Sequence, residues 1–210
     1  MTRSKNSLDE SGEHAPAVGV ASYAKGAAKR DEILTGLMRK LAAQELRNPS
    51  LREIGRALGI QPAHILYYFG SREDLLQAVI LRWDEDARSR DDRSDLTLGR
   101  FVRQIERNLA IPGIVHLYLT FAAEAVDPEH PAHDFFRQRF LRVRASLAER
   151  IRKEQEDGTI SADLDADSQA RQLIALADGL QLQSLVDPGV NAANDLNAAI
   201  RALRVHSQAR

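Results

Sequence analysis

Six side chains between Pro62 and Arg72 are suited to one kind of chemistry, contact with a nucleic-acid duplex. The ring of His64 can donate or accept a hydrogen bond at a base edge, and the small groups of Pro62 and Ala63 can touch a thymine methyl. Tyr67 and Tyr68 carry hydroxyls able to reach phosphate oxygens. Neighbouring helical residues point about 100° apart, so one tyrosine is expected outward and the other partly buried. Arg72 falls in the first turn of a following helix, where unpaired backbone amides and the positive helix end favour an anion. Contacts of the phosphate kind set position on a duplex, whereas contacts to base edges set sequence preference.

The surrounding sequence, SLREIGRALGIQPAHILYYFGSREDLL, supplies elements that could hold these groups. Ser50 and Glu53 form an S-x-x-E capping box, which starts a helix over Leu51 to Leu58 with Leu51, Ile54 and Leu58 inward. Gly59 can end that helix at positive φ. Gln61 then stands at the N-cap, and Pro62 opens a third helix that runs to Phe69, because its missing N–H would be unpaired there anyway. Gly70 closes it. Ser71, with Asp74 three places on, caps a fourth helix whose Leu75, Leu76, Val79, Ile80 and Trp83 repeat at helical spacing. Upstream, Ile33, Leu34, Leu37, Met38 and Leu41 predict a first helix ending near Leu46, before the Asn48-Pro49 break. Lys25, Lys29 and Arg30 form a basic lead into it. From Ala21 to Arg72 nine Lys/Arg face four Asp/Glu, an excess of five positive charges in a chain whose formal net charge is -1. Such asymmetry suits a module that meets phosphate. A plain helical hairpin would explain one or two of these features but not the turn glycine, both caps and the aromatic pair together.

The remaining sequence reads as helices throughout. Residues 1–24 lack periodicity and are expected to be a disordered tail. A helix-turn-helix domain is expected over 25–88, a hinge near 85–96, and a second helical domain over 97–210. Within the last, Thr97 caps a helix, Pro112-Gly113 turns the chain into an apolar helix over 114–126, and longer helices span about 132–157, 166–186 and 192–205. Phe101, Ile105, His116, Phe121, Glu124, Phe136 and Phe140 could line an effector cavity of apolar walls with few polar groups. Glu124 could equally pair with an arginine of the 132–157 helix. Gly179, costly inside a helix at about 1 kcal/mol, suggests close approach at a dimer seam with Ala175, Leu182, Leu185, Leu196, Ile200 and Leu203, although packing within one subunit would also explain it. The group Glu129, His130, His133 and Asp134 matches no zinc spacing and reads as a turn with helix caps. No metal or cofactor is expected.

Several classes are excluded or disfavoured. Without cysteine there is no disulfide, thiolate nucleophile or thiolate-bound zinc. An apolar signal core is missing from Thr2 to His14, and the apolar run from Leu109 to Val126 is interrupted by Pro112, Gly113, His116 and Glu124, so a cytoplasmic protein without a membrane span is expected. An all-α enzyme lacks a nucleophile–base pair, a phosphate loop or matched carboxylates. A ligand-binding helical regulator with a weakened DNA reader, acting through protein partners, is the nearer alternative.

The stretch from Ile60 to Leu75 resembles the DNA-binding domain of TetR-type transcriptional regulators, whose pattern there is roughly apolar, Ser, x, small, Thr, Leu, Tyr, x, aromatic, Phe, x, Ser, Lys, Glu, x, Leu. Here Gln61 stands for the serine cap, Leu66 for a phosphate-binding tyrosine and Arg72 for the lysine; Glu45 sits where the family prefers a helix-ending glycine. The lead YAKGAAKR and the segments AEAVDPEHPAHDFF and LIALADGLQLQSLVDP are similar to a subset of these regulators. The resemblance implies an all-α, two-domain homodimer that binds a palindromic double-stranded operator, usually as a repressor, through Lys25, Lys29, Arg30, Ser50, Gln61, Pro62, Ala63, His64, Tyr67, Tyr68 and Arg72. It also implies release from DNA when a small-molecule effector enters the C-terminal domain.

Overall fold

A computed structural model describes the backbone of residues 17–90 and 97–204 and the side chains of 24–89 and 97–204. Among these residues there are nine helices: α1 Ala17–Ala42, α2 Leu51–Leu58, α3 Pro62–Phe69, α4 Arg72–Arg90, α5 Leu98–Leu109, α6 Pro112–Glu124, α7 His133–Glu156, α8 Ala166–Val186 and α9 Ala192–Leu203. The described residues contain no strand, only one isolated bridge between Ile160 and Arg204. The expected all-α class is therefore observed.

Three helix ends differ from expectation, the first being that of α4, which runs on to Arg90 through residues 85–90 of the expected hinge because its helical hydrogen bonding continues past Trp83 into the charged stretch. Residues 17–24 belong to α1 rather than to a tail, while residues 1–16 lie outside the described residues, as do 91–96 of the expected hinge and residue 205 of the last helix. The other end of α1 comes at Ala42, four residues before Leu46. There Gln44 takes φ 57°, its N–H donates to the Leu41 carbonyl (3.0 Å), and the Glu45 N–H donates to the Lys40 carbonyl (3.0 Å). That pair of bonds is the Schellman closure, so the left-handed position preferred by glycine is Gln44, one residue before Glu45.

The turn elements follow their sequence signals closely. Ser50 Oγ accepts from the Glu53 N–H (3.3 Å), and Glu53 Oε2 accepts from the Ser50 N–H (2.7 Å), completing the capping box. Gly59 sits at φ 67° and ends α2. Pro62 occupies the first turn of α3, and Ser71 Oγ accepts from the Asp74 N–H (2.9 Å).

Buried side chains form two cores that cut across chain order. The first unites Ile33, Leu37 and Leu41 of α1, Ile54, Ile65 and Phe69 of the turn helices, and Leu75 to Trp83 of α4 with Val115, Tyr118 and Phe121 of α6 and Phe136 of α7. The second joins Val102 and Ile105 of α5, Leu147 and Ile151 of α7, Leu173 and Leu180 of α8, and Leu196 and Ile200 of α9. Leu196 and Ile200, expected at a dimer seam, are buried in their own subunit because α9 packs that face on α5 and α8; Leu203 is half-buried against the same core. The small helices are thus seated on α6 rather than hung from a linker. The approach of α1 to α6 is close: a Cβ built on Gly113 would lie 2.0 Å from the Leu41 carbonyl oxygen.

Candidate nucleic-acid interface and effector cavity

The α2–α3 turn presents α3 with one face inward and one face out. Ile65 and Phe69, four residues apart, are buried, which turns Ala63, His64 and Tyr67 to solvent. Tyr67 is 81% exposed, whereas Tyr68 is half-buried with its ring edge-on to Tyr67 at 5.0 Å. Gln61 is exposed at the N-cap, without a side-chain cap bond, and Pro62 is half-buried. His64, Tyr67 and Tyr68 share a cleft of about 660 Å³ with Lys25, Ala28, Lys29 and Glu32 of α1. Two lysines of α1 and the exposed face of α3 therefore border one surface.

Three of the expected contact residues are already engaged inside the molecule. Ser50 spends its oxygen on the capping box. Arg30 donates to the Tyr68 carbonyl and lies 4.2 Å over the Phe69 ring, tying α1 to the C-terminal end of α3, where carbonyls and the negative helix end favour a cation. Arg72 is held inside the molecule: Nε donates to the Pro49 carbonyl (2.9 Å), Nη2 donates to Asn48 Oδ1, and Nη1 lies 3.2 Å from Glu73 and 3.7 Å from Glu124. Glu124 also accepts from Asn48 Nδ2 (2.8 Å). Its partner is thus Arg72 of α4 and not an arginine of α7, and the cluster fastens the end of α6 to the α2 cap and the start of α4. Lys25 and Lys29 remain toward the cleft, Lys29 paired with Glu32 at 2.8 Å.

A second cavity, about 540 Å³, opens between α4, α5, α6, α7 and α8. That volume suits a small organic ligand. Phe101, Ile105 and Phe140 line it as expected. The others do not. Phe121 and Phe136 fill the first core, packed ring on ring at 5.4 Å; Glu124 belongs to the Arg72 cluster; His116 is off the wall on α6. Groups the sequence reading left out define the polar character: Trp83 and Asp84 on α4, Tyr118 on α6, Arg139 on α7, and Asp178 with Gln181 on α8. Asp178 was visible as a lone carboxylate among the leucines and alanines of LIALADGLQLQ. Trp83 was read as an inward core residue of α4, and Asp84 was hidden because the sequence from there on reads as a plain charged surface.

The polar groups form a connected wall. Arg139 donates through Nε and Nη2 to both oxygens of Asp84 (2.9 and 2.8 Å) while its guanidinium lies 4.7 Å over the Tyr118 ring. Tyr118 OH donates to Asp178 (3.2 Å to Oδ1). Burial pushes the Tyr118 hydroxyl well above its usual range, and Arg139 stays firmly protonated beside Asp84 despite burial. Burial also raises the Asp178 carboxyl to about 6, with Arg139 and the Tyr118 bond pulling the other way. A carboxyl held protonated in the fold favours the folded state most at low pH. That advantage is lost as pH rises from the ordinary value of 3.8 to about 6. Asp178→Asn should therefore remove about 2 kcal/mol of stability loss across that window, read from urea melts at pH 4 and pH 7. Parallel pH profiles for both proteins would show that Asp178 is not so perturbed.

The outer face of α8 carries Ala175, Gly179, Leu182 and Val186, a single stripe at spacings of four, three and four. Leu182 is 54% and Val186 80% exposed, and nothing lies within 4 Å of a Cβ built on Gly179. Gly179 is therefore not packed within its own subunit. Leu185, on a neighbouring face, is half-buried against the first core. At the α6–α7 turn His133 Nδ1 meets the Ala125 carbonyl (3.0 Å) and His130 Nδ1 accepts from the Ala132 N–H (3.2 Å), so both histidines close local turns.

Comparison with known proteins sets this geometry in context. Residues 33–79 match the model of the bacterial regulatory proteins of the tetR family, and residues 104–206 match the C-terminal model of BetI-type transcriptional repressors. No curated protein matches the sequence. A TetR-family regulator from Rhodococcus sp. superposes with a TM-score of 0.70 at 24% identity, covering 84% of this chain and 98% of that one. A transcriptional regulator from Saccharomonospora viridis, solved in complex with choline, gives 0.69 at 27% identity over 86% and 99%. A TetR regulator from Haloarcula marismortui gives 0.69 at 20% identity over 85% and 100%. At these identities the Rhodococcus and Haloarcula likenesses speak to fold alone.

Proposed function

Since the chain belongs to the TetR family of bacterial transcriptional regulators, we propose that it represses by occupying a palindromic operator as a homodimer and leaves DNA when an effector fills the 540 Å³ cavity. The observation that carries the DNA arm is the shared cleft, where His64 and Tyr67 of α3 stand beside Lys25 and Lys29 of α1. In a dimer joined along the α8 stripe, two such faces would meet successive major grooves, roughly 34–36 Å or a multiple apart. His64→Ala should cost about 1–3 kcal/mol at one base pair per half-site and leave other positions unchanged. Salt-titrated gel shifts against the upstream region of its own gene, with single-base variants, check this. A loss spread evenly over all sequences would remove His64 from base readout.

For the effector, the cavity itself favours an organic cation. Asp178 shares the lining with the rings of Trp83, Phe101 and Phe140, and a positive centre over such rings gains from their negative faces. The choline found in the Saccharomonospora regulator is of that class. A cation would bind the ionised Asp178 more tightly than the protonated form, so affinity for choline should rise several-fold from pH 5 to pH 7.5 as Asp178 titrates near 6. Calorimetry at the two pH values measures it, and affinity independent of pH would point to a site elsewhere.

A further inference from the structure

Resting on that cation reading, we propose that the natural effector also carries an acidic group, read by Arg142 and Arg88, which line the same cavity one helical turn beyond the Arg139–Asp84 pair. Polar character along the cavity is segregated. Its two carboxylates, Asp84 and Asp178, both lie at the level of Arg139: one sits in the fork of that arginine, and the other is bonded to the tyrosine beneath it. Beyond Arg139 the lining of α7 continues through Arg142, Ser146 and Arg150, four residues apart and therefore on one face, without an acid between them. Arg100 of α5 and Arg88 of α4 add further donors to the lining. The rise of α7 carries this donor stripe about 12 Å from Arg142 to Arg150. A ligand with its cation at Asp178 has room to lay an apolar body along Phe140, Val143 and Leu147 and bring its far end to these donors.

Arg88, Arg142 and Ser146 are exposed at the rim of the cavity, and it is the pairing of the neighbouring arginines that sets Arg88 and Arg142 apart. The other arginines of α7 for which a partner is identified lean on carboxylates: Arg137 on Asp134, Arg139 on Asp84, and Arg144 and Arg152 on Asp167. Arg142 and Arg88 make no ion pair among the described residues, although each borders the cavity. Arg100 and Arg150 also line it but have other engagements, so the acid is assigned to the first two. Charge-assisted bonds from a guanidinium fork are short and directional, which would let this end select a carboxylate or phosphate rather than only attract it.

Three probes with one six-carbon body test the assignment by calorimetry on the full-length protein: hexyltrimethylammonium, hexanoate, and 6-(trimethylammonio)hexanoate. The doubly charged probe should bind about tenfold tighter than the cation alone. In the Arg88→Gln/Arg142→Gln protein that gain should vanish while hexyltrimethylammonium binds within about twofold of wild type. No gain in wild type, or a gain kept in the double variant, overturns the proposal. Asp178→Asn separates this outcome from failure of the underlying reading. If it abolishes hexyltrimethylammonium binding, the cation site stands whatever the acid does. If it changes nothing, the cation reading falls and this proposal with it.

Discussion

Replacing Gly113 by alanine is expected to destabilise the fold by about 3 kcal/mol or more. The added carbon would sit 2.0 Å from the Leu41 carbonyl oxygen, about half the separation at which atoms normally touch, and the obstacle is backbone, not a side chain that can rotate away. Either α1 or α6 must retreat. Both helices belong to the first core, so the retreat would loosen Leu37 and Leu41 against Val115 and Leu117. Urea denaturation of the variant, followed by helix content, measures the loss; a change under about 0.5 kcal/mol would show that the two helices are not in such close register. The contact also joins the C-terminal end of α1 to the N-terminal end of α6, where opposite partial charges meet.

Removing Asp84 has a comparable consequence for a different reason. Arg139 is only 12% exposed at its side chain, and Asp84 supplies both acceptors of its fork. With alanine there, a nearly enclosed guanidinium loses its principal counter-charge, a loss of about 3 kcal/mol in comparable buried pairs. The companion change Arg139→Leu should restore most of that stability, since an apolar wall needs no partner. Thermal and urea melts of the two singles and the double form the cycle that reads this. If the double variant is as unstable as the two losses added together, Asp84 and Arg139 act separately. A further expectation concerns control: Asp84 is the α4 residue that pairs across the cavity wall with Arg139 of α7, so a stable double variant should bind effector yet release operator less completely, read from gel shifts with and without choline.

Much of the architecture could be read from residue order because local signals there are strong. The capping box at Ser50, the left-handed Gly59 and Pro62 at a helix start each act within four residues, and the bounds of α2 and α3 agree with them. The end of α1 was misplaced because no glycine marks it; Gln44 takes the left-handed turn under restraint from both closure bonds. The cavity was legible only in part. Periodicity identifies which side chains point inward, but whether an inward ring meets a core or an opening depends on what four other helices place opposite it. Phe121 and Phe136 met each other, and Phe140 met space. The roles of Arg30 and Arg72 were hidden for a related reason. Their partners are a carbonyl 38 residues downstream for Arg30 and a carbonyl and an amide 23 and 24 residues upstream for Arg72, and no spacing rule reaches that far.

The continuity of α1 from Ala17 to Ala42 has a mechanical meaning. Twenty-six residues make a rod of about 39 Å, braced on α3 by Arg30 and pivoted at its far end on Gly113. From that pivot to Lys25 is about 25 Å of rod, so a tilt of only 10° would swing the lysine by roughly 4 Å, more than the length of a hydrogen bond. Motion too small to disturb the packing of α6 would thus be magnified at the duplex, and the protein could let go of its operator by leaning rather than by unfolding.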